Sequence, residues 1–332
     1  MIEEGNVQEN TDISLSLYQQ LSFLFYYYGE WQFRKLYLRV TKKKLKSERY
    51  AGTIVLPQEI GNEKLRENIE RGLPFMAARF GRTELLSVNE VLRSQCMHKN
   101  YDFNRLKDLN YTAGFTQKDA ESYKRFAKLM LDATSCMDFV GVWYNQMENW
   151  MCEHYMPREK TLTHFEVYDF WHYEKPFTAA LRGKKVVVIH PYSESIEQQY
   201  ARRELLFDNP NVLPEFTLRT VKAVQTIGGQ NDDRFATWFD ALEYMYEEVM
   251  KEDFDIALIG CGAYGFPLAA KIKQTGKIAI HMGGVLQILF GIKGRRWDEH
   301  PSAMKLYNEY WVRPNENETV SKNRQVEDSC YW

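Results

Sequence analysis

The sequence predicts an α/β protein: an open, mostly parallel sheet with helices on both faces, preceded by an N-terminal helical extension. Three observations lead there. From about residue 60, short apolar runs alternate with helical stretches, the pattern of repeated strand–helix units. The clearest run, "KKVVVIH" at 184–190, is β-branched and uninterrupted, as in a strand buried on both faces of a parallel sheet. Finally, "DIALIGCGAYGFPLAAKIKQTGKIAIHMGG" at 255–284 reads as strand, glycine turn, helix and strand. Within it Gly260, Gly262 and Gly265 have G-x-G-x-x-G spacing.

The elements follow in order. Residues 13–46 read as helix, with Leu17, Leu21, Leu24, Tyr28 and Trp31 at near-helical spacing and the basic run "RVTKKKLK" at the end. Such a stripe is expected to pack on the body, leaving the lysines solvated. The other reading is an interfacial segment touching the inner face of a membrane. A strand at 74–81 leads into a helix at 82–95, and 137–143 is a second apolar strand. After the strand ending at His190-Pro191 come a helix at 196–207, a strand at 217–227 and an amphipathic helix at 234–251. The polar tail is expected to be loosely ordered. This gives an extension at 1–55, an α/β domain at 56–313 and a tail at 314–332.

Composition narrows the function. The 332 residues suffice for one large α/β domain or two modest ones. A net charge of −2 argues against a nucleic-acid binder. Five scattered cysteines without a C-x-x-C argue for a reducing compartment, with no disulfide framework or cysteine-rich zinc site. The acidic N-terminus lacks a signal-peptide pattern, so a cytoplasmic location is expected. No G-x-S-x-G or H-E-x-x-H is present, which weakens a hydrolase reading. Cys152, Glu153 and His154 are adjacent and cannot all face one ion from regular structure.

Ligands of open parallel sheets bind at the carboxyl ends of the strands. The loop Gly260, Cys261, Gly262, Ala263, Tyr264 and Gly265 is therefore a candidate phosphate cradle, with packing as the structural alternative. A dinucleotide site would place Asp or Glu at the end of the next strand; here stands His281, and no acid occurs between Asp255 and Asp298. That disfavours NAD and a methyl donor and favours a strongly anionic group. Gly283 and Gly284 form a second backbone-rich loop, and Arg295 and Arg296 have the fork geometry that suits diphosphate oxygens. At the end of the 184–190 strand, His190 and Glu194 are candidate general bases, and Ser193 a candidate phosphate contact. Glu84 lies one turn into the helix after Arg79 and Gly81, where it faces the mouth of the sheet or complements the helix dipole.

"FMAARFGRTELL" resembles the R-[FY]-G-D-G-E junction of GT-D-type glycosyltransferases, and 255–284 resembles a later segment of the same family. The resemblance spans about residues 60–300. It implies a Rossmann-like sheet, a nucleotide-sugar donor, and a glycan or lipid-linked acceptor in bacterial glycan assembly. It also implies a metal-binding Asp-x-Glu pair. Arg79, Gly81 and Glu84 match the motif; Arg82 stands where the family has Asp, and Thr83 where it has Gly. An Mn2+ or Mg2+ ion would thus have only Glu84 of its pair, and Arg82 could supply positive charge instead. Two alternatives remain: an NAD- or S-adenosylmethionine-dependent enzyme, and a degenerate scaffold that kept the fold.

Overall fold

Nine strands form one sheet in the order β1-β2-β5-β4-β3-β9-β8-β6-β7. The structure is a computed structural model describing residues 12–43 and 45–319. The chain starts with α1 (Leu17–Leu24), a π-helical turn (Phe25–Glu30) and α2 (Trp31–Thr41). It continues through β1 (Arg49–Tyr50), β2 (Thr53–Leu56), α3 (Gln58–Arg71), β3 (Phe75–Ala78), α4 (Arg82–Met97), α5 (Phe103–Thr112) and α6 (Ala120–Ser135). Next come β4 (Phe139–Val142), α7 (Glu148–His154), β5 (Thr161–His164), β6 (Lys185–His190), α8 (Ser193–Tyr200) and β7 (Thr217–Lys222). Then follow α9 (Trp238–Met250), β8 (Ile256–Ile259), α10 (Gly265–Gln274) and β9 (Ile278–His281). Three short helices follow, α11 (Val285–Leu289), α12 (Arg295–Asp298) and α13 (Pro301–Met304).

Every pairing is parallel except the β1–β2 hairpin. Ala51 and Gly52, both at positive φ, make its two-residue turn. Alternate residues of the central strands enter two separate cores: Val187 and Ile189 pack on one face, Val186 and Val188 on the other. The expected open α/β sheet with both faces covered is the observed fold. From β3 the chain builds outward through β4 and β5. It then crosses to β6 and β7 and returns through β8 to β9, beside β3. The connections diverge between β3 and β9, where open α/β sheets form their ligand crevice.

Four expectations need correction. The boundary at residue 55 falls inside β2, which pairs with β5, so 49–56 belong to the sheet and not to a helical extension. The strand expected at 217–227 stops at Lys222, because β7 is an edge strand and its only partner, β6, ends at His190. The tail is docked at its start: Glu318 is buried and accepts from the Glu194 and Ser195 amides and the Ser195 hydroxyl. Residues 320–332 lie outside the described part. Of the N-terminal stripe, Leu17, Leu21 and Tyr28 face solvent, while Phe23 and Tyr27 make the inward contact. No helix among the described residues is long and apolar enough to cross a membrane.

Candidate active site

The carboxyl ends of β3, β4, β6, β8 and β9 surround a cleft of about 780 Å3. It gathers Arg79, Gly81, Arg82, Glu84, His190, Gly260, Cys261, Gly262, Tyr264, His281, Gly283, Gly284 and Arg296 from the sequence candidates. With Arg34 and Lys35 of α2 it is lined by five cationic side chains, against one carboxylate, Glu84, among the described residues. Such an imbalance favours an anionic ligand.

Arg79 sits at the point where the connections diverge. Its guanidinium lies 5.3 Å from the Trp143 ring centre beyond β4, and its Nε donates to the Met282 carbonyl beyond β9 at 3.4 Å. A Cβ at position 283 would lie 2.2 Å from Arg79 Nη2, so Gly283, at φ +62°, is what leaves room for the arginine. Next along the chain, Gly81 caps α4 and the Glu84 carboxylate folds back over it. A Cβ on Gly81 would come within 1.9 Å of Glu84 Oε2. Glu84 is the acid of the first turn of α4, where its charge complements the helix dipole, and it lines the cleft.

The glycine loop is built differently. A Cβ on Gly260 would lie 2.8 Å from the Gly283 carbonyl and 2.9 Å from His190 Cδ2; one on Gly265 would lie 2.6 Å from His281 Cδ2. These glycines allow close packing between strand ends, and only Gly262, at φ +58°, is required by its backbone conformation. The Gly260 amide donates to Ile189 and the Ala263 amide to Ala113, so neither is available to a phosphate. Ala263 and Gly265 do not line the cleft. Tyr264 stacks on Trp238 with ring centres 4.6 Å apart, and burial pushes the Cys261 thiol up. The expected phosphate cradle is in large part a packing device.

Both histidines are buried and neutral, with desolvation pulling each down to about 3. His190 Nδ1 accepts from the Tyr192 amide at 3.0 Å, so the proton of the neutral ring sits on Nε2. A ring arranged this way donates a hydrogen bond and does not serve as a base near neutral pH, which corrects one expected role. His281 is held by the Arg79 backbone.

Glu194 is corrected for another reason. It is exposed, outside the cleft, and bound to Asn317 at 2.8 Å and Lys222 at 3.2 Å. Those bonds lower its pKa and weaken it as a base. Ser193 is buried behind it, away from the cleft. Arg295 is exposed and pairs with Glu299 at 3.7 Å, leaving only Arg296 of the pair at the cleft.

Beyond the sequence candidates, the stretch at 143–146 lines the cleft between β4 and α7. Its geometry is held by Glu148, whose carboxylate accepts from the Trp143 amide at 3.0 Å and the Asn145 amide at 2.8 Å. Tyr144 and Met147 adopt positive φ, a strained arrangement that this buried carboxylate over-determines. Burial raises Glu148 to about 7, against the pull of the amides. An acid placed just after a strand and "WYNQ" was the available signal.

Among the described residues the cleft offers a divalent metal a single carboxylate, Glu84. Glu84 is folded over Gly81, and Arg79 and Arg82 flank it in sequence. No group of three or more His, Cys, Asp or Glu among the described residues could hold an ion.

Fold and site together define an α/β protein with a cleft lined mainly by cationic side chains at the carboxyl ends of its strands. The chain belongs to the GT-D-like family: residues 57–289 match the GT-D fold-like domain. It is similar to two solved structures. One is a selenomethionine-substituted domain of unknown function 1792, with 12% identity, 82% of this chain and 94% of that chain covered, and a TM-score of 0.44. The other is a domain of unknown function 1792 described as having a distinct glycosyltransferase fold, with 13% identity, the same coverage and a TM-score of 0.44. No curated protein sequence matches the chain. The family assignment supports a glycosyltransferase.

Proposed function

We propose that the protein transfers a sugar from a nucleoside-diphosphate donor to a glycan or lipid-linked acceptor in bacterial surface polysaccharide assembly. The observation that carries this is the cleft of a GT-D-like domain lined by five cations and one carboxylate. Arg79, Arg82 and Arg296 bind the diphosphate and stabilise the negative charge that grows on it as the donor bond breaks. Glu84 takes the proton of the acceptor hydroxyl while the acceptor oxygen bonds to the sugar carbon and the nucleoside diphosphate leaves. Trp143 and Tyr144 offer aromatic faces for the donor base or sugar. The arginines neutralise the diphosphate in the role a cation would otherwise take, so turnover is expected to survive EDTA.

Thermal shift with UDP, GDP, CDP, dTDP, NAD and S-adenosylmethionine, each with and without Mn2+, tests the reading. A ligand at about a hundred times its Kd adds about 2.7 kcal/mol to native stability. A manganese-independent shift with one nucleoside diphosphate is expected. A shift with only NAD or the methyl donor overturns it, and no shift at all favours a scaffold that kept the fold without the activity.

A further inference from the structure

The N-terminal helical run has two dissimilar faces. Its inner face is fixed to α7: Phe23 meets Trp150 edge-on at 5.3 Å, Ser22 bonds His154 at 2.8 Å, and the Tyr26 hydroxyl donates to Glu153 at 2.6 Å. On the outer side Leu17, Leu21, Phe25, Phe33, Leu36 and Val40 are each between 57% and 73% exposed. The wide step from Phe25 to Phe33 spans the π-helical turn, whose lower twist per residue keeps the later residues in line with the earlier ones.

Charge is equally lopsided. Residues 17–46 hold seven Lys and Arg and a single acid, Glu30, in a chain of net charge −2. Glu30 is engaged by Arg34 and Asn149. Arg39, Lys42 and Lys43 are exposed near the end of the run. An apolar face beside a basic cluster, in a run whose one acid is engaged and whose Lys46 pairs with Glu166, is complementary to a bilayer containing anionic lipid. It suits a second copy of this chain poorly, since a two-fold contact lays the same surface on both partners and would bring two basic arms together. The same helix is also a wall of the cleft, through Trp31, Arg34, Lys35 and Leu38.

We propose that this face docks on an anionic lipid surface and sets the mouth of the cleft at the bilayer, so that the acceptor is a lipid-linked sugar. The choice of acceptor rests on the glycosyltransferase reading; the docking does not. The test is sedimentation of the full chain with phosphatidylcholine vesicles, with and without phosphatidylglycerol. Binding is expected with phosphatidylglycerol and falls at least about tenfold in Leu21→Asn/Phe25→Asn/Phe33→Asn and in Arg39→Glu/Lys42→Glu/Lys43→Glu. Circular dichroism checks that both variants fold, and nucleoside-diphosphate binding is measured separately, so either reading can fail alone. No sedimentation with anionic vesicles overturns the proposal, as does sedimentation unchanged in the folded variants. A concentration-dependent dimer abolished by the apolar substitutions assigns the face to a second copy instead.

Discussion

The two halves of the cleft, on either side of the divergence between β3 and β9, are made on different principles. The β3–β4 half presents charge: Arg79, Arg82 and Glu84, beside a strained aromatic loop pinned by Glu148. The β6–β8–β9 half presents glycines packed against neighbouring strand ends and two neutral histidines, of which His190 Nδ1 accepts from the Tyr192 amide while His281 Nδ1 is buried without a hydrogen-bond partner among the described residues. The glycine fingerprint, the most conspicuous motif in the sequence, belongs to the half that packs; the less regular "RFGRTE" belongs to the half proposed to bind and react. A glycine can be demanded by a neighbouring side chain as easily as by a ligand.

The contrast breaks most sharply at Glu84. Glu84→Gln is expected to lower turnover by about 10²–10⁴-fold, the usual contribution of a general base, while leaving nucleoside-diphosphate binding in place. Turnover close to that of the parent would remove Glu84 from the chemistry and leave it as an acid complementing the helix dipole. The next largest effect falls on binding. Arg79→Ala should weaken nucleoside-diphosphate affinity about 10- to 100-fold, the range for losing a charge-assisted contact. Gly283→Ala should approach that loss with the arginine itself retained, because the new Cβ takes the guanidinium's place at 2.2 Å, and it also strains the backbone at φ +62°. Isothermal titration of both variants checks the pair, and an unaffected Gly283→Ala would mean that Arg79 need not stand where it does.

On the packing side the expected loss is in stability. Gly265→Ala puts a Cβ 2.6 Å from His281 and should cost about 1–3 kcal/mol by overpacking, with affinity for the nucleotide retained. Denaturant melts and titration together decide it. Stability intact but affinity lost would return the loop to the phosphate-binding role that its spacing first suggests.

These asymmetries explain what was legible in the sequence. Runs such as "KKVVVIH" disclose the parallel sheet because burial on both faces demands unbroken apolar residues. The β1–β2 hairpin was not seen, since β1 is two residues long and carries too little pattern. Arg79, Arg82 and Glu84 could be put at the cleft because they follow a strand end, where parallel sheets place ligands, whereas Arg296 was marked only by its guanidinium fork and lies on α12. The failures at Glu194 and Arg295 came from partners far along the chain or on the next turn: Lys222 and Asn317 hold the first, Glu299 pairs with the second. The role of Glu148 was hidden because it acts on amides and not on a ligand.

The last test sets an acid of one half against a histidine of the other by the sign of a pH dependence. Glu148, raised by burial to about 7, contributes stability that is present below its unfolded value of 4.5 and is lost as pH rises through 7. His190, lowered from 6.5 to about 3, contributes stability that is present above 6.5 and is lost as pH falls through 3. Relative to the parent, Glu148→Gln should therefore gain stability as pH rises from 4.5 to 7, whatever constant offset the lost amide contacts impose. His190→Asn should gain as pH falls from 6.5 towards 3. Melting temperatures of the three proteins at matched ionic strength, read as differences from the parent, check both slopes at once. Slopes of the same sign would mean that one of these groups is held charged in the folded state, against the burial that favours the neutral form of both.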